Sequence, residues 1–94
     1  MTKPINDPAF RQELLAENDR WLRMSLYARL RNRHDVEEVM QEVAVAVMRK
    51  GDSLRDVDKA GPWLHQIAIR QALLFRRKCG RQSALTARYF ELCK

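Results

Sequence analysis

Five cations crowd one short stretch of this 94-residue sequence: Arg70, Arg76, Arg77, Lys78 and Arg81. At about 100° per residue, Gln66, Arg70, Arg77 and Arg81 gather on one side of a helix, with Arg76 and Lys78 flanking them. Leu64, Ile67, Ala68, Ala72, Phe75 and Cys79 gather on the other side. One face is suited to packing, and the other to meeting something acidic. The charge distribution sharpens this. The formal net charge is +6, yet the first sixty residues hold eleven Lys/Arg and eleven Asp/Glu. All of the excess lies in the last third, where Arg70, Arg76, Arg77, Lys78, Arg81, Arg88 and Lys94 face Glu91 alone. A basic surface confined to one helix is the electrostatic footprint expected for phosphate contact. The plainer reading is a solvated helix face whose C-terminal bases complement the helix dipole.

Other chemistry finds little support. His34 is followed by Asp35, but nothing nearby offers a nucleophile for that pair to activate, and His34 reads as a turn residue. Cys79 and Cys93 are fourteen residues apart with no CxxC, and only His34 and His65 could join them as soft ligands, so no zinc spacing exists. Both thiols are expected to be reduced, with Cys79 as core filler. No glycine-rich phosphate loop is present, and an enzyme or a cofactor is not expected. No apolar run approaches 18 residues and no basic-then-apolar leader follows Met1, so neither a membrane span nor a secretory signal is expected, which suggests a cytoplasmic chain.

The elements that would position the cations follow from composition and periodicity. The sequence is 46% hydrophobic and 32% charged with three Gly and three Pro, values that suit one small helical domain. Asp7-Pro8 looks like a helix opening, and a first helix runs from there toward Asn32. Phe10, Leu14, Leu15, Trp21, Leu22, Leu26, Tyr27 and Leu30 form its apolar side, with an interruption at Glu17-Asn18-Asp19 that could be a bend. Trp21 and Tyr27, spaced among leucines, read as core. Arg29, Arg31, Arg33 and His34 close this helix, where bases suit the dipole. Asp35 to Glu38 resembles a capping box, so a second helix should begin there. Its run Val43 to Met48 is β-branched enough for a strand. The polar positions Glu37, Glu38, Gln41, Glu42 and Arg49 nevertheless recur at helical steps opposite Val36, Val39, Met40, Val43 and Val47. Gly51 ends this helix. Residues 51–61 form a connection, long for a bundle, in which a one-turn helix around 54–58 would fit. The third helix starts near Gly61-Pro62 and stops at Gly80. Residues 82–94, with Ser83 as a cap, make a short terminal helix or the start of a linker. The fold expected is all-α, a compact three- to four-helix domain over residues 1–81.

Two segments carry a family likeness: Asp35-Val36-Glu37-Glu38-Val39-Met40-Gln41-Glu42-Val43, then, after the connection, Trp63-Leu64-His65-Gln66-Ile67-Ala68-Ile69-Arg70-Gln71-Ala72 and Arg76-Arg77. Together they resemble the second conserved region of bacterial RNA polymerase sigma factors of the sigma-70 family, in particular the small extracytoplasmic-function type. The pattern there is D-A-E-D, two hydrophobic residues, Q-E-V, a loop, W-L-hydrophobic-x-I-A-x-N-x-A and an Arg-Arg pair. The likeness covers roughly residues 15–81.

This resemblance implies a helical domain that docks on the clamp helices of the polymerase largest subunit and recognises the promoter −10 element as the duplex opens. By position, Asp35, Glu38, Gln41 and Glu42 fall on the docking helix. The connection corresponds to the loop that holds a flipped-out base of the non-template strand, with Ser53 and Arg55 the residues expected to set sequence preference. Gln66, Arg70, Arg76, Arg77, Lys78 and Arg81 fall on the helix that approaches DNA. An anti-sigma factor is a further partner class. The family often has Asn at the place of Arg70 and Asp at that of Leu74, so the −10 sequence read here is not inherited from the pattern. The connection holds no aromatic residue, so strand opening by stacked aromatics is not implied. The helix-turn-helix that reads the −35 element in complete sigma factors lies outside these residues. The competing reading is a small helical interaction or regulatory module whose basic face is only a soluble surface.

Overall fold

The computed structural model describes residues 7–50, 54 and 56–93. Among them are three α-helices and no strand: α1 (Pro8–Leu30), α2 (Arg33–Lys50) and α3 (Ala60–Leu92), with a 3-10 turn, η1 (Val57–Lys59), before α3. The all-α expectation holds.

Local chemistry sets each boundary. The backbone N–H of Ala9 donates to Asp7 Oδ1 at 3.0 Å, and Pro8 occupies the first turn, where its missing donor costs nothing. The polar triplet Glu17-Asn18-Asp19 does not interrupt α1. Asn18 Nδ2 donates to the Leu14 carbonyl at 2.8 Å, and Asp19 pairs with Arg23 at 2.9 Å, so both are satisfied within the helix. Arg31 then takes a left-handed conformation, φ 57°, and its N–H donates to the Tyr27 carbonyl. This is the usual way to end a helix, although glycine more often fills the position.

The cap of α2 differs from the expectation. Asn32, not Asp35, is the capping residue: its Oδ1 accepts from the Asp35 backbone N–H at 3.1 Å. Asp35 therefore sits in the first turn, where its charge complements the exposed N–H groups. Glu38 does not reach back to close a box; it pairs with His34 at 3.2 Å, which places His34 in the helix rather than in the turn. The valine-rich run is helical throughout, because a stripe at helical spacing can bury Val36, Val39, Val43, Ala46 and Val47 together.

These five side chains meet Leu22 and Leu26 from α1 and Leu64, Ile67, Ala68 and Ala72 from α3 to form one core. Arg23 links α1 to α2 through Glu37, and Arg11 Nη1 donates to the Met48 carbonyl at 2.5 Å, tying the start of α1 to the end of α2. Trp21 and Tyr27 are corrected from core to surface, at 43% and 49% exposure. The apolar stripe of α1 runs through Leu22 and Leu26, and a 100° step away from it carries a large ring to the edge. Trp21 packs there against His65 of α3, ring centroids 5.2 Å apart.

Between α2 and α3, Leu54 is buried and anchors the connection. Asp56 Oδ1 accepts from the Asp58 N–H at 3.0 Å and opens η1, which runs directly into α3 at Ala60. The one-turn helix thus falls at 57–59, a little later than expected. Helix α3 continues for 33 residues, and Gly80 lies inside it. The expected stop at Gly80, the cap at Ser83 and the separate terminal segment are all replaced by one helix. Glycine costs about 1 kcal/mol in a helix interior, too little to stop one whose next residues include Arg81, Gln82, Ala84 and Leu85. Thr86 adds a bond from its hydroxyl to the Gln82 carbonyl, 2.9 Å. The consequence is an elongated molecule, 65 × 23 × 18 Å, in which every residue from 80 to 93 is exposed. Cys79 is likewise corrected: it is half-buried on this emerging part of α3 and lies outside the core.

Candidate protein and nucleic-acid interfaces

Two shallow depressions flank α3, and between them they contain most of the residues singled out by the sequence. The first lies between α2 and α3 and is lined by Glu38, Gln41, Glu42, Gln71, Leu74, Phe75, Lys78 and Arg81. The second lies along α3 itself and is lined by Gln66, Ile69, Arg70, Leu73, Leu74 and Arg77. Leu74 belongs to both and forms the ridge between them.

On α2, Glu38, Gln41 and Glu42 are exposed on one face, as their spacing predicts, while Asp35 is half-buried at the helix start. Val45, one turn further along the same face, is 44% exposed and adds an apolar edge to it. A face of carboxylates and an amide bordered by one valine suits a protein surface with complementary cations better than it suits a polyanion.

The cations divide more finely than the sequence suggested. Arg70 and Arg77 line the second depression with Gln66, so these three are brought together. Lys78 turns toward α2 and lines the other depression, opposite Glu38 and Glu42. Arg81 also lines it, although its azimuth on α3 lies within about 40° of that of Arg77. Arg76 is exposed and lines neither. Ser53 and Arg55 lie outside the described residues.

Sequence reasoning missed three apolar residues of the second depression. Ile69, Leu73 and Leu74 sit beside the arginines, and the two leucines are 47% and 44% exposed. The signal was available, since all three fall outside the stripe of Leu64, Ile67, Ala68 and Ala72. The depression therefore combines guanidinium and amide donors, which hold phosphate or base edges, with apolar side chains, which suit thymine methyl groups or base faces. A third depression, between α1 and α2, is lined by Arg23, Met24, Tyr27, Ala28, Arg33, Val36 and Glu37. Met24 and Tyr27 are exposed in it, at 63% and 49%.

Among the described residues, no three His, Cys, Asp or Glu side chains are grouped to hold a metal ion, and no helix is long and apolar enough to cross a membrane. No curated protein and no solved structure matches the chain. A family model does: residues 14–82 match Sigma-70 region 2. The matched span takes in α1 from Leu14, all of α2, and α3 as far as Gln82, and so encloses both depressions along α3. With that much of its length matched, the chain belongs to the Sigma-70 region 2 family, the non-enzymatic, DNA-binding sigma-factor domains that engage RNA polymerase and the promoter −10 element in transcription initiation.

Proposed function

We propose that this chain is the region 2 domain of a sigma factor of the extracytoplasmic-function type, acting in the cytoplasm. It docks α2 on the clamp helices of the polymerase largest subunit and presents α3 and the preceding connection to the non-template −10 strand. The observation that carries this reading is the partition at Leu74. The acidic and amide groups Glu38, Gln41 and Glu42 stand on one side of that ridge, and Gln66, Arg70 and Arg77 stand on the other. The α2–α3 pair can therefore touch protein through one helix and nucleic acid through the other at once.

Within this scheme Asp35 lies at the edge of the docking surface, and Lys78 completes its rim. Arg70, Arg77 and Arg81 position the strand through phosphate. Gln66 is the base-reading candidate on α3, since an amide pairs with adenine. Ser53 and Arg55 in the connection set the preference for a flipped base, and Arg76 supplies general attraction. Exposed Trp21, Met24 and Tyr27 favour an additional protein partner at α1, for which an anti-sigma factor is the class the family resemblance suggests.

The test is assembly with core polymerase. A chain carrying Gln41→Ala and Glu42→Lys should lose core affinity at least tenfold while keeping its helicity, because both side chains are exposed and only their contacts change. An unchanged affinity in the folded double variant would remove the docking assignment.

A further inference from the structure

The continuity of α3 through Gly80 aligns a residue that lies beyond the matched family span. Arg70 and Arg88 are eighteen residues apart in one helix, and eighteen residues at 3.6 per turn make five full turns. They leave the helix at the same azimuth. Arg77 falls about 20° to one side of that line and Arg81 about 20° to the other. At 1.5 Å per residue the four guanidinium groups are spaced by about 10, 6 and 10 Å, over a total of about 27 Å. All four are exposed, and no carboxylate among the described residues pairs with any of them.

We propose that Arg70, Arg77, Arg81 and Arg88 form one ladder of phosphate contacts, whose outer rung, Arg88, holds the backbone of double-stranded DNA flanking the opened element. This deepens the reading of α3 as a nucleic-acid surface and rests on it. The argument for a duplex is geometric. The depression at Gln66 to Arg77 ends about 16 Å short of Arg88 along the axis, roughly the rise of five base pairs. A cation held so far out on a straight helix meets a partner that stays in line with it. A duplex does so, being stiff over about 150 base pairs and carrying one charge per about 1.7 Å of its axis. A single strand would have to be ordered along the helix first.

Binding of the full chain to a 20-base-pair duplex and to a single strand of the same sequence, measured by fluorescence anisotropy between 50 and 200 mM salt, tests this. Arg88→Ala should lower the salt slope on duplex by about 0.9, the value for one phosphate. The affinity lost across that salt range then shrinks by about 3.5-fold. Binding to the single strand should be unchanged, and Arg88→Lys should keep the slope of the parent chain. Inserting one alanine after Ala84 turns Arg88 by about 100° with no change of charge, and should reproduce the effect of Arg88→Ala. Inserting four restores the azimuth to within about 40° and should recover most of the slope.

Loss in Arg88→Ala with none in the single insertion would reduce the ladder to bulk charge and overturn it. Equal weakening on both probes would overturn the duplex assignment, and so would no weakening on either. If Arg77→Ala flattens the slope and Arg88→Ala does not, the ladder fails and the function proposed above stands. If the chain never docks on core polymerase while both arginines behave as described, the reverse is true.

Discussion

Gly80 stands where α3 leaves the bundle, and replacing it by alanine isolates what that residue contributes. Phe75 is the last residue of α3 packed against the core, and every residue from 80 to 93 is exposed. The extension is therefore held by helix propensity and local bonds alone. The backbone at Gly80 is not left-handed, and a Cβ built there would meet nothing within 4 Å, so alanine fits without strain. Alanine is favoured over glycine in a helix interior by about 0.8–1 kcal/mol, which multiplies the helix-to-coil ratio of the extension about fivefold. Gly80→Ala should then raise the ellipticity at 222 nm and slow amide exchange at residues 81–92 about fivefold. The bundle lies outside the affected segment, so its melting temperature should move by less than the 4–8 °C that a full kcal/mol gives a domain of this size. Gly80→Pro should do the reverse. It removes the bond from residue 80 to the Arg76 carbonyl at a cost of about 3 kcal/mol and should melt the extension while sparing the bundle. Unchanged exchange at 81–92 in Gly80→Ala would refute the reasoning, and so would a full 4–8 °C rise of the bundle transition, which would show the extension to be part of the core's cooperative unit.

Three further expectations concern the bundle. Leu22→Ala removes a fully buried side chain at the centre of the core and should cost about 3–5 kcal/mol, read as a fall in the denaturant midpoint at constant slope. Asn32→Ala deletes the side chain that caps α2 and should cost about 1 kcal/mol, whereas Asp35→Asn, which keeps the capped N–H, should cost clearly less; equal losses in thermal melts would restore Asp35 as the cap. Trp21→Phe should leave stability nearly unchanged, because the ring is 43% exposed and meets His65 at its edge, and a loss above about 2 kcal/mol would return Trp21 to the core.

The helical character of α1, α2 and α3 as far as Gly80, the division of charge between α2 and α3, and the family were legible in the sequence, because each of these is written in local order. The stripe Val36, Val39, Val43 and Val47 requires a period of 3.6 whatever it packs against, and Asp7-Pro8 opens a helix through bonds to its immediate neighbours. Tertiary structure decided what depends on how helices rotate against one another. It carried Trp21 and Tyr27 to the surface and turned Lys78 toward the carboxylates of α2 while Arg70 and Arg77 faced away. It also left Leu73 and Leu74 exposed beside those arginines. Periodicity locates a residue around its own axis, but which part of the circumference a neighbour covers is set by packing across the core. Asn32 and Gly80 mark the boundary between the two kinds of information. Asn32 and Asp35 could each cap α2, and the chain leaving the αL turn at Arg31 starts the helix at Asn32. A glycine that can end a helix ends one only where the chain gains from turning back. Beyond Gly80 nothing in the fold draws the chain back, and good helix formers carried it on, which is what put Arg88 in line with Arg70.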